Sequence, residues 1–109
     1  ALGIHGVETE VSAWHHVASD PGERGAQIDL VIDRADQTIN LCEMKFAEAE
    51  YTIDKAYAAE LRGKRATFQH VTRTRKAILL TLVTTNGVKD NVHAQSLGVS
   101  SVTMDALFE

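Results

Sequence analysis

Three ionisable residues stand where strands ordinarily carry apolar ones. Asp29 interrupts the run Gln27-Ile28-Asp29-Leu30-Val31-Ile32-Asp33. Glu43 and Lys45 interrupt Thr38-Ile39-Asn40-Leu41-Cys42-Glu43-Met44-Lys45-Phe46. Two carboxylates and an ammonium on a mostly apolar sheet are costly unless something compensates them. Two readings fit these residue types. In one, Asp29 and Glu43 hold a divalent cation and Lys45 stands beside an attacking water. In the other, Lys45 bridges the two acids as an ion pair at the end of a sheet.

Either reading requires the acids to meet, and register decides that. The two runs are rich in β-branched and apolar residues and are separated by Ala35-Asp36-Gln37, which suits a hairpin turn. A three-residue loop sets Arg34 opposite Thr38, Val31 opposite Leu41, Asp29 opposite Glu43 and Gln27 opposite Lys45. Side chains alternate along a strand, so Asp29, Glu43 and Lys45 share a face with Val31 and Leu41, while Leu30, Ile32, Cys42 and Met44 cover the other. A slip of one residue separates the acids.

The remaining elements frame this hairpin. Ala1–Gly6 resembles the last turn of a helix, and 7–16 alternates as a first strand, with Glu8, Glu10, Ser12 and Trp14 on one face. Asp20-Pro21-Gly22 marks a loop. Beyond an acidic exit at 46–51, a helix capped by Thr52 carries Ile53, Tyr57, Leu61 and Phe68 on one stripe, the spacing of a core face. Residues 76–84 form a continuous apolar run, as in a strand buried on both sides. Asn86-Gly87 turns the chain, 90–95 suits a short helix, 99–102 a short strand, and Thr103 caps a final helical turn through Met104, Leu107 and Phe108. The order predicts an α/β fold: a mixed central sheet flanked by helices.

With 109 residues the chain makes one domain, and its 44% hydrophobic and 24% charged content is that of an ordinary globular protein. No apolar run approaches the roughly 20 residues that span a bilayer, which excludes a helical membrane anchor within it. The single cysteine, Cys42, forms no internal disulfide and fits a reducing, cytoplasmic setting. No Cys/His spacing suits zinc, and no glycine pattern cradles a nucleotide. The net charge of −4 argues against generic nucleic-acid binding, but its distribution is uneven. Seven basic residues (Lys55, Arg62, Lys64, Arg65, Arg73, Arg75 and Lys76) and one acid, Glu60, fall between 55 and 76. Such a region engages phosphates or simply solvates a helix face.

A strand with Asp29, a return strand ending Glu43-Met44-Lys45, then a helix and an apolar strand resemble the PD-(D/E)xK nuclease superfamily, whose fold is restriction-endonuclease-like. The wider wording adds to this: Ala-Leu-Gly-Ile, Val-Ser-Ala-Trp, Gly-Ala-Gln-Ile-Asp-Leu-Val-Ile-Asp-Arg, Cys-Glu-Met-Lys-Phe, Ile-Asp-Lys-Ala-Tyr and Leu-Thr-Leu-Val-Thr-Thr-Asn-Gly-Val. Together these are similar to the C-terminal domain of a group of bacterial AAA-type ATPases, over essentially the whole chain. The resemblance implies that 1–109 is a single domain at the C-terminal end of a longer ATPase, and that the first core helix, with a further acid, precedes Ala1. It implies Mg²⁺ or Mn²⁺ on Asp29, Glu43 and the Met44 carbonyl, with Lys45 holding the hydroxide and Gln27 orienting water or substrate. Lys55, Arg62, Lys64, Arg65, Arg73 and Arg75 would track a nucleic-acid backbone, DNA ahead of RNA, without reading sequence. Besides the ATPase domain, a second copy of the chain is a candidate partner. A non-catalytic docking module keeping a relic of the site is the alternative.

Overall fold

Five strands and three helices follow one another along the chain. β1 spans Thr9–His16, β2 Ala26–Arg34, β3 Thr38–Lys45, α1 Lys55–Thr72, β4 Ala77–Thr84, α2 Val92–Leu97, β5 Ser100–Thr103 and α3 Met104–Leu107. The computed structural model describes residues 8–18 and 25–107, the last two by their main chain only. The expectations for Ala1–Gly6, Val7, Asp20-Pro21-Gly22 and Phe108 lie outside these residues.

The strands form one mixed sheet in the order β1-β2-β3-β4-β5. The first three make an antiparallel meander, and β4 and β5 add in parallel. Parallel neighbours need a crossover, which α1 supplies between β3 and β4 and α2 between β4 and β5. The hairpin register is the expected one, with Arg34 opposite Thr38 and Val31 opposite Leu41. Gln37 takes a left-handed conformation, φ 67°, and closes the three-residue loop.

The main core lies between the sheet and α1. Ile28, Val31, Ile39, Leu41, Leu80 and Leu82 from the strands meet Ile53, Tyr57, Ala58, Leu61 and Phe68 from around α1, and Leu97 of α2. Trp14 of β1 closes one end, its ring edge-on to Phe68 with centroids 5.1 Å apart. The other face carries a smaller cluster of Ile32, Cys42 and Val83, flanked by Leu30, Met44 and Met104. Buried Asn40 donates to Thr81 Oγ1 at 3.2 Å and accepts from Arg34, so the polar groups of that face are partnered.

Several boundaries differ from expectation. The cap of α1 is Asp54, whose carboxylate accepts the Tyr57 amide at 2.7 Å, and not Thr52. Both residue types can cap, and the one chosen lies three residues before Tyr57, which tertiary packing places inward. α2 starts at Val92, capped by Asn91, and stops at Gly98 with φ 64°. The strand at 77–84 is deeply buried only over its last five residues; Leu79 is 40% exposed.

Candidate functional site

The site forms where the β2–β3 ladder stops. Paired residues run from Arg34–Thr38 to Leu30–Cys42. On the opposite edge of β2, Ser12 pairs with Val31 but Trp14 with Ile28, so three steps of β2 match two of β1. That is a β-bulge at Asp29–Leu30. It explains how Ile28 and Val31 both face the main core despite their odd separation, and it re-aims Asp29 at the mouth of a cleft.

There Asp29 and Glu43 meet as the register requires. Oε2 of Glu43 accepts the Asp29 amide at 3.1 Å, and Oδ2 of Asp29 accepts the Met44 amide at 3.0 Å. Side chains thus continue the pairing that the bulge breaks. Glu43 is 4% exposed. Burial raises its pKa above the usual carboxylate range, and the adjoining Asp29 carboxyl raises it further. Hydrogen bonds from Lys64 and the Asp29 amide, with the Lys64 charge, oppose this.

The cation on Glu43 is Lys64 of α1, whose ammonium bonds Oε1. Lys45 makes no ion pair among the described residues; its Nζ rests 4.5 Å from the centre of the Tyr57 ring and 6.0 Å from that of Tyr51. The alternative in which Lys45 bridges the two acids is therefore not what forms; Glu43 takes its ion pair from Lys64 of α1 instead. The Tyr57 hydroxyl is buried with no hydrogen-bond partner among the described residues. Burial, then the charge of Glu43, with smaller effects of Tyr51, Glu60 and Asp29, keeps it protonated.

Asp29 opens on a cleft of about 780 Å³ between the start of β2 and one face of α1. Gln27 lines it, as do Glu60, Gly63 and Lys64. Gln27 is not opposite Lys45 as expected, because the β2–β3 ladder has already ended; it pairs with His15 of β1. Residues three and four apart share a helix face, so Ala56, Ala59, Glu60, Gly63, Lys64 and Thr67 form one wall. Small residues leave the space and Glu60 and Lys64 supply the charge.

The basic residues of the 55–76 region divide. Lys64 is committed to Glu43, Arg62 donates to Ser96 Oγ on the side of α2, and Lys76 pairs with Asp33. Lys55, Arg65, Arg73 and Arg75 make no ion pair among the described residues, and Arg73 caps α1 in a left-handed conformation. Glu60 and Lys64 were visible in sequence only as members of that region. Their separation of four residues, beside Ala56 and Gly63, was the available signal.

Adjacent hard oxygen donors, one of them lining a solvent-open cleft, are the donor chemistry of a Mg²⁺ or Mn²⁺ site, so Asp29 and Glu43 fit such an ion. Among the described residues no three His, Cys, Asp or Glu side chains gather into one metal-holding group.

No protein-family model matches the chain, and no curated protein is similar to it. Among solved structures it is similar to the crystal structure of AF1548, a protein of unknown function, with a TM-score of 0.62 at 16% identity. The likeness covers 91% of this chain and 50% of that one, so the chain spans half of AF1548's length. At this identity the likeness is one of fold.

Proposed function

We propose that this domain is a metal-dependent nuclease-like module with a restriction-endonuclease-like core, hydrolysing phosphodiester bonds of nucleic acid as the C-terminal part of an ATPase. The observation that carries the reading is the Asp29–Glu43 pair, two carboxylates held in contact by each other's strand, with Asp29 at the mouth of a cleft and Glu43 buried behind it. They would hold Mg²⁺ or Mn²⁺ together with the Met44 carbonyl, and such an ion supplies charge that polarises a phosphate and acidifies a water. Lys45 lies two residues beyond Glu43 and donates to the water or the phosphate oxygens, offsetting the charge that develops there. Gln27, on the cleft wall, orients the water or the substrate. Lys55, Arg65, Arg73 and Arg75 supply backbone contacts, with DNA the expected substrate ahead of RNA.

A second reading rests on a specific observation. Lys64 already neutralises Glu43, which is how an ion pair that has replaced a metal site would look. The domain would then dock nucleic acid or a protein without cleaving it. Thermal melts of this chain with and without millimolar Mn²⁺, beside Asp29→Ala, separate the two. A rise confined to the wild type supports the metal site, since a ligand that binds only the folded state stabilises it. No rise in either protein sinks it.

A further inference from the structure

Lys64 stands at the point where a cation on Glu43 would sit. Its side chain leaves the cleft wall on α1 and reaches the buried Glu43, which presents one oxygen to it and the other to the Asp29 amide. Both Glu43 oxygens are thus engaged, and the one facing α1 is held by a charge that is itself only 21% exposed.

A second acceptor lies within its reach. Glu60 lines the same cleft, four residues before Lys64 on α1. Glutamate followed by lysine at this spacing is the favourable arrangement on a helix. The lysine therefore has an inner partner, Glu43, and an unused outer acceptor, Glu60, on the solvent-open wall.

We infer that Lys64 is a resident competitor for the metal position, a built-in cation that a divalent ion must displace from Glu43 and that then pairs with Glu60. This inference rests on the metal-site reading and adds to it a residue that sets the metal threshold. Glu43 loses the ammonium and gains the ion, Asp29 keeps its bond to Met44, and Lys64 changes rotamer without any movement of α1. A site built this way keeps Glu43 paired and the chain folded without metal, and it discriminates against cations that bind carboxylates too weakly to displace an amine.

The test is a titration of the whole chain with Mn²⁺, read as the midpoint of the rise in melting temperature and, independently, as loss of the free Mn²⁺ spin-resonance signal. Wild type is compared with Lys64→Met, Lys64→Gln, Glu60→Gln and Asp29→Ala. Removing the competing charge lowers the midpoint about tenfold in both Lys64 variants, the order carried by one charge-assisted hydrogen bond. Lys64→Gln retains a donor for Glu43, which guards against misfolding of the methionine variant. Glu60→Gln raises the midpoint, because the displaced ammonium loses its outer partner. Unchanged or higher midpoints in folded Lys64 variants overturn the competition and leave the metal site standing. Absence of Mn²⁺ binding in every protein overturns both.

Discussion

Asp29 and Glu43 each accept the amide that the other's strand has left without a ladder partner: Asp29 takes the Met44 N–H and Glu43 takes the Asp29 N–H. The brace sits at the bulge, so it holds two strand ends together and two carboxylates in contact at once. Structure and chemistry here depend on the same atoms. Glu43→Ala leaves the Lys64 ammonium and the Asp29 amide without their acceptor, and we expect a loss of about 2–4 kcal/mol in urea unfolding. Asp29→Asn keeps an acceptor for Met44 and is expected to cost under about 1 kcal/mol, since that bond is exposed. Equal costs for the two variants would show that Glu43 is not the structural half of the brace.

Glu43 also makes stability depend on pH in a definite direction. Its burial lifts the folded-state pKa above the ordinary 4.5, so the folded chain binds this proton more tightly than the unfolded chain. The associated stability is fully present below the unfolded pKa and is lost as pH rises through the raised folded value. Comparing wild type with Glu43→Gln removes the contributions of the other groups. The difference in unfolding free energy should decline from just above pH 4.5 until Glu43 is ionised, then stay flat. A difference that grows over the same interval would mean that Lys64 and the Asp29 amide outweigh burial.

Much of this arrangement was readable from residue order, and the reason is local. A three-residue turn and a period of two suffice to bring Asp29 beside Glu43, though the ladder itself stops one pair short of them, and to put Leu30, Cys42 and Met44 on the far face. Ile53, Tyr57, Leu61 and Phe68 fall on one helical stripe for the same kind of reason, and all four are buried. What escaped depends on contacts distant in sequence. The bulge at Asp29 carries no glycine signal and arises from how β2 fits β1. It also removes Gln27 from its expected place opposite Lys45. Lys64 lies 21 residues from Glu43, and only the packing of α1 on the sheet brings them together.

The choice of cap on α1 gives a compact check of that local reasoning. Asp54 accepts the Tyr57 amide, while Thr52 is exposed and precedes the helix by three residues. Asp54→Ala should cost about 1 kcal/mol and Thr52→Ala less than about 0.5 kcal/mol in thermal or urea unfolding. The reverse order would restore Thr52 as the cap.

Cys42 should be inert while the fold is closed. It is fully buried in the second cluster, and burial, helped by the neighbouring Glu43 charge, pushes its pKa up to about 12. At pH 8 only about one thiol in ten thousand is then ionised, and reagents attack the thiolate. Labelling by a disulfide reagent should be negligible in buffer and stoichiometric in denaturant. Rapid labelling of folded chain would mean that the face carrying Val83 and Met104 opens readily.

Lys45 supplies the sharpest functional prediction, because its role in the proposed chemistry can be separated from its part in the fold. It is half-buried, makes no ion pair among the described residues, and touches the structure chiefly through the Tyr57 and Tyr51 rings. Truncating it should cost about 1 kcal/mol, the worth of a partly buried cation–π contact. If its ammonium serves the reacting phosphate, Lys45→Ala should abolish Mn²⁺-dependent cleavage of a nucleic-acid substrate while the melting temperature falls only slightly. Asp29→Ala, measured alongside, should lose cleavage and the Mn²⁺ stabilisation together, whereas Lys45→Ala should keep the stabilisation. Undiminished cleavage by a folded Lys45→Ala protein would remove Lys45 from the mechanism and pass its role to the other ammonium of the site, Lys64 on Glu43.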